Sequence, residues 1–197
     1  MKSIEYTLTS PEAIQARVDA FRPSRAGGQA EALRARLGAT HFGGRYALTE
    51  EPYLIEGLKA LQAMGMRIAK LWLAGRPGAT ASGYGFNAQW PDTSQGIALA
   101  DLARTPNFRA AFAMPFHTFV LEALSMQSAD WRRGVEANAE YFAREEQEFF
   151  DLAKALLEDY RDRDVTFIVQ NWEGDWVLRG LGVNWEADPE ASVPADI

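Results

Sequence analysis

The chain has no cysteine and only two histidines in 197 residues. Without cysteine there are no disulfides, no thiolate metal sites and no cysteine nucleophile. Basic residues are not in excess: the formal charge is −7, with acids and bases interleaved. That disfavours nucleic acid, whose binders usually carry a basic face, and it offers nothing to anionic membranes. No run of eighteen apolar residues occurs, so no membrane span is expected. The opening stretch "MKSIEYTLTSPEAIQ" lacks the apolar segment of a signal peptide, and the chain reads as cytoplasmic and soluble. No Gly-x-Gly-x-x-Gly or Walker sequence follows the first strand candidate, and no Gly-x-Ser-x-Gly elbow occurs. Nucleotide-binding and serine-hydrolase readings therefore have little support.

What is present is a core. The chain is 47% hydrophobic and 24% charged, enough to bury a sizeable interior. Residues 1–37 read as an N-terminal helical segment. It opens on Ser10-Pro11-Glu12, a capping hydroxyl followed by proline and an acid. From residue 38 strands and helices alternate. Strands are expected near 38–42, 67–73, 109–117 and 165–170. Amphipathic helices are expected over 50–65 and 138–160, with a shorter one around 95–104. On the long helix, Phe142, Phe149, Ala153, Leu156 and Tyr160 form the predicted apolar stripe, and Glu148 is placed mostly off it.

This alternation implies a parallel sheet with crossover helices. An open doubly wound sheet and a closed (β/α)8 TIM barrel both fit. Both histidines, His41 and His117, are read at strand ends, where barrel chemistry collects, and this favours the barrel. A barrel needs eight strands and typically about 250 residues. Four strands are found, so residues 38–197 are expected to be the first half of a barrel. Its exposed sheet edge would be covered by a missing C-terminal half or by self-association.

Two stretches carry candidate chemistry. Past the fourth strand, "QNWEGDW" sets Asn171, Trp172, Glu173, Asp175 and Trp176 together. A carboxyl flanked by two indoles is partly desolvated, which raises its pKa toward what a general acid needs. The alternative is that the tryptophans plug the barrel mouth while the acids cap a turn. The second stretch is the long loop 75–96, where Tyr84, Asn87 and Trp90 mix aromatic faces with an amide. Those residues either rim a carbohydrate cleft or fold back over the barrel end. A mixed nitrogen–oxygen metal site from His41, His117, Glu173 and Asp175 is a further option, although no His-x-His or His-x-x-x-His spacing supports it.

An apolar strand ending in Asn171 and followed by Glu173, as the fourth strand of a barrel, resembles the clan A glycoside hydrolases of cellulase and mannanase type. His117 in "MPFHTF" resembles the histidine that closes the clan's third strand. Two differences stand out. Trp172 separates Asn171 from Glu173, which are adjacent in the clan, and Lys70 stands where the second strand commonly carries arginine. The resemblance implies hydrolysis of O-glycosidic bonds without a cofactor. Glu173 would be the acid/base, Asn171, His117 and His41 would hold hydroxyls, and Trp172, Trp176, Trp90 and Tyr84 would shape the subsites with Asn87 and Asp175. It also implies a second carboxylate after strand seven, about 5–5.5 Å away in a retaining pair and about 6.5–9.5 Å in an inverting one. Asp175 is too near Glu173 in sequence to serve. The chain alone is therefore expected to be inactive. A metal-dependent barrel hydrolase or isomerase, and a non-catalytic carbohydrate-binding protein, are the alternative readings.

Overall fold

A computed structural model describes residues 32–33, 35–42, 49–77, 84, 93–127 and 133–171. The predicted helical segment over residues 1–37 lies almost wholly outside these residues. Among the described residues there are four strands: β1 (Gly38–His41), β2 (Ile68–Ala74), β3 (Thr118–Leu124) and β4 (Thr166–Asn171). All three pairings are parallel and the spatial order is β1-β2-β3-β4. The protein is thus an α/β fold with a four-stranded parallel sheet. No described helix is long and apolar enough to cross a membrane.

Helices fill each crossover. α1 (Tyr53–Ala63) joins β1 to β2, α2 (Leu99–Ala103) and α3 (Pro106–Ala113) lie between β2 and β3, and α4 (Gly134–Ala137) and α5 (Ala139–Tyr160) lie between β3 and β4. In α1 the apolar residues Leu54, Leu58 and Leu61 recur at helical spacing and are buried. Pro52 precedes the first turn, and Gly65, at φ 83°, ends the element in a conformation that side chains avoid.

The third strand begins later than expected. Residues 106–113 form the helix α3, which takes up 109–113 of the stretch read as a strand near 109–117. Pro106 presets the first helical turn, and Phe108, Ala111 and Phe112 bury at intervals of three and four. Pro115 then forces Met114 to extended backbone, ψ 155°, which stops the helix. The apolar run crosses from helix to strand with only that proline to mark the boundary.

The two central strands bury their faces unequally. Ala69, Leu71 and Leu73 of β2 and Phe119, Leu121 and Ala123 of β3 are fully enclosed. They join buried residues of α1, α2, α3 and α5 in one cluster. Each enclosed leucine contributes about 1.5–3 kcal/mol. Aromatic rings extend the cluster toward β4: Phe112 meets Phe119, Phe167 and Tyr160 with centroids 5.1–5.7 Å apart. The opposite face, with Ile68, Lys70, Trp72, Thr118, Val120 and Glu122, is only half-buried and contributes Trp72 alone to the cluster. Sequential parallel strands joined by right-handed crossovers carry all their helices on one side, which accounts for this asymmetry.

α5 matches its expected span, but its buried stripe is Tyr141, Glu148, Leu152, Ala155 and Leu156. Ala153 is exposed and Phe142 and Phe149 are half-buried. The helix is rotated by about one position relative to its apolar pattern, which brings Glu148 inward.

Candidate functional site

The C-terminal ends of the four strands meet at one edge of the sheet, because every strand is parallel to its neighbours. His41 closes β1 there, in register with Leu71 and therefore on the helix-covered face. It is buried, with its ring 4.7 Å from Tyr53 and 5.6 Å from Tyr84 by centroid. Nε2 lies 2.9 Å from the Tyr53 carbonyl oxygen, which can only accept, so Nε2–H donates. Burial lowers the His41 pKa below 6.5, against smaller opposing effects of the Tyr53 carbonyl and the Glu56 carboxylate. His41 is thus a neutral, enclosed imidazole that ties β1 to α1. At 6% exposure the ring is enclosed rather than open at the strand end.

Tyr84 is enclosed as well, at 1% exposure. Its hydroxyl accepts from the Trp72 backbone N–H at 2.8 Å and donates to the His41 carbonyl at 2.6 Å. The phenol thus joins the ends of β1 and β2, and burial pushes its pKa far above the ordinary value. Tyr84 forms part of the wall beneath the strand ends and has no free face for a sugar. Tyr84→Phe removes a partner from two backbone groups at once. We expect a loss of about 1–3 kcal/mol in urea unfolding, with far-UV circular dichroism unchanged.

His117 is at the opposite, N-terminal end of the strands. It precedes the first residue of β3 and is exposed; its N–H donates to the Arg67 carbonyl and its own carbonyl accepts from Thr166 N–H, both at 2.8 Å. Leu121, four residues on, shares the row of Leu71 and His41, so the two histidines are about 13 Å apart along the strand direction. They do not converge, which corrects the reading of His117 as a strand-end contact. It also removes the basis for a metal held by both rings. Among the described residues no group of three or more His, Cys, Asp or Glu is placed to hold a metal. Asn171 ends β4 at the C-terminal edge, paired with Ala123. Asn87, Trp90, Trp172, Glu173, Asp175 and Trp176 lie outside the described residues.

Two further features were missed by sequence reasoning. The first is an ion pair on the half-buried face. Lys70 pairs in register with Val120, and Trp72 with Glu122, so all four share that face. Lys70 Nζ is 2.6 Å from Glu122 Oε2, with side chains 29% and 21% exposed. Trp72 also meets Phe42 edge-on at 4.6 Å. One charged residue inside each of two apolar runs, "IAKLWLA" and "TFVLEAL", was the available signal.

The second is Glu148, which braces the rim from α5. One carboxylate oxygen accepts from Leu99 N–H at 3.1 Å and Met126 N–H at 3.0 Å, linking the start of α2 to the segment leaving β3. Ala98, the residue before α2, has no capping side chain, so Glu148 supplies the missing acceptor from another helix. Burial raises the Glu148 pKa, and the two backbone donors offset part of that rise. No family model matches the chain, and neither does any curated protein or solved structure.

Proposed function

We propose that the chain is a glycoside hydrolase-like protein of (β/α)8-barrel type that acts on O-glycosidic bonds, with Glu173 as its acid/base. The observation that carries this reading is the sheet: four parallel strands in sequential order, with the helices of the common core on one face and a half-buried face of mixed residues, among them Lys70, Trp72 and Glu122, on the other. A doubly wound sheet reverses its strand order at a switch point, whereas a barrel does not. The C-terminal edge of such a sheet is where barrel enzymes keep their chemistry. β4 reaches that edge at Asn171, two residues before Glu173. Trp172 and Trp176 supply flat faces for the C–H side of a sugar ring.

Calorimetric titration with cello-, xylo- and mannotetraose tests the reading. The chain is expected to bind at least one of them, and the Trp172→Ala/Trp176→Ala variant to bind it about tenfold more weakly or worse. Glu173→Gln should keep binding. The chain alone should show no turnover of aryl glycosides, because the second carboxylate is unassigned. Turnover abolished by Glu173→Gln would establish its role directly and put the second carboxylate within these 197 residues. Absence of saccharide binding by the unaltered chain would overturn the reading.

A further inference from the structure

The helix α5 carries a second apolar stripe. Its core side holds Glu148, Leu152, Ala155 and Leu156. At about 100° per residue, Phe150 and Leu157 fall on the opposite side of the helix from Glu148. They are 62% and 74% exposed, more than any other large apolar side chain among the described residues. Ala153, also exposed, stands between them at intervals of three and four. A further crossover helix would lie beside α5 against the sheet and leave this outward stripe open. Glu146 and Arg161 extend the stripe at its two ends, and both are exposed. Other charges of α5 pair within the helix, Arg144 with Glu140 and Lys154 with Glu158, but Glu146 and Arg161 pair with no described residue. Fifteen residues apart, they are separated by about 22 Å of helix and cannot meet each other.

This stripe is complementary to itself. Let two α5 helices run antiparallel about a two-fold axis between Ala153 and Lys154. Phe150 then faces the partner's Leu157, Glu146 faces the partner's Arg161, and each contact occurs twice. A parallel pairing would instead oppose glutamate to glutamate and arginine to arginine, which like charges disfavour. A recess is also in place. Between α5 and β4 runs a groove of about 350 Å³, lined by Ala153, Leu157, Tyr160, Phe167 and Val169 together with Arg161. An aromatic ring brought opposite Leu157 has this groove beside it, and a large ring seated in such a recess is the usual anchor of a protein interface.

We propose that the chain forms a two-fold dimer with a second copy of itself through the outward face of α5. Phe150 of each copy seats against the partner's Leu157 and its groove, and Glu146 of each pairs with the partner's Arg161. One helix pair buries less than the about 1,200–2,000 Å² of a tight complex, so the dissociation constant should be on the order of 10 µM. Nothing in this pairing depends on saccharide binding.

The experiment is sedimentation equilibrium of the full chain from about 1 to 200 µM at low ionic strength, where surface charges are least screened. The parent should pass from monomer to dimer across this range. Leu157→Asp and Phe150→Ser should each weaken the dimer at least about tenfold while far-UV circular dichroism stays unchanged, because both side chains are exposed in the single chain. Glu146→Arg and Arg161→Glu should each weaken it about tenfold, since each variant opposes like charges twice. The double variant Glu146→Arg/Arg161→Glu should return to within about threefold of the parent. That rescue is specific to contact between copies, because the two positions are too far apart to meet within one helix. A parent that stays monomeric at the highest concentration overturns the proposal. So does a monomer whose melting temperature falls with Leu157→Asp, which would show the chain's own residues 172–197 covering the stripe. A dimer indifferent to Leu157→Asp and Phe150→Ser places the interface elsewhere and also overturns it. Single charge variants that dimerise as the parent does would overturn the antiparallel register.

Discussion

Glu148→Ala is expected to destabilise the chain by about 2–4 kcal/mol, enough to threaten folding at physiological temperature. The variant leaves the Leu99 and Met126 N–H groups without their acceptor, one of them fully buried. It also leaves a void beside Gly75, where a Cβ would lie 3.4 Å from the carboxylate. Glu148→Gln keeps a carbonyl oxygen for both donors and should lose less. The pair of variants separates hydrogen bonding from charge. Burial holds the Glu148 pKa above 4.5 in the folded chain, so the folded state binds that proton more tightly than the unfolded state. Ionisation of Glu148 therefore favours unfolding. Its effect is absent below about pH 4.5 and grows as pH rises through the raised pKa. The stability advantage of the parent over Glu148→Gln should be largest in acid and should narrow as pH rises. Urea titrations of both proteins between pH 4 and 8 read this directly. An advantage that widened with pH would mean that the ionised carboxylate is the preferred buried form.

Gly57→Ala should also destabilise, by about 2–3 kcal/mol, against the ordinary helix rule. In an exposed helix interior the change to alanine gains up to about 1 kcal/mol. Here a Cβ at position 57 would lie 2.1 Å from His41 Cε1 and 2.3 Å from Nε2. The ring cannot simply swing away, because Nε2 is bonded to the Tyr53 carbonyl and the ring lies beside Tyr53 and Tyr84. Overpacking of this kind costs more than the backbone gains. The accompanying change His41→Ala should relieve the overlap, so the double variant should be more stable than the sum of the two single losses. Thermal or urea unfolding of the four proteins gives the coupling. Gly57→Ala melting above the parent would show that α1 slides away freely.

The alternation of strand and helix could be read from residue types because each signal was local. The leucines of α1 carried its period, and Pro52 and Gly65 marked its ends. The strands β2 and β4 were apolar runs bounded by polar residues. The boundary at Pro115 failed for the same reason: "RAAFAMPFHTFV" is apolar on both sides of it, and one period of three and four hid inside a continuous run. The site was less legible. His41 and His117 look alike in one dimension, each beside an apolar stretch. The register places one on the helix-covered face at the C-terminal edge and the other at the opposite end. Tyr84 stands in a polar, glycine-rich loop, yet two backbone partners from β1 and β2 draw it inside. Lys70 and Glu122 were visible as lone charges in apolar runs. Only the register, which sets Trp72 beside Glu122, shows that they belong to one surface. Glu148 was hidden by its neighbours Glu145 and Glu146, which do face outward or half outward.

The sequential strand order bears on how the chain is made. Each strand pairs with the one synthesised before it: Gly38 with Ile68, Ile68 with Thr118, Thr118 with Thr166. No strand described must wait for a later one to separate it from its neighbour. As the chain leaves the ribosome, each β/α unit finds its docking edge already in place, and assembly can proceed from the N-terminal side like a zip. Loop closures are then made one at a time, and the growing edge, rather than the whole sheet, is what a nascent chain exposes.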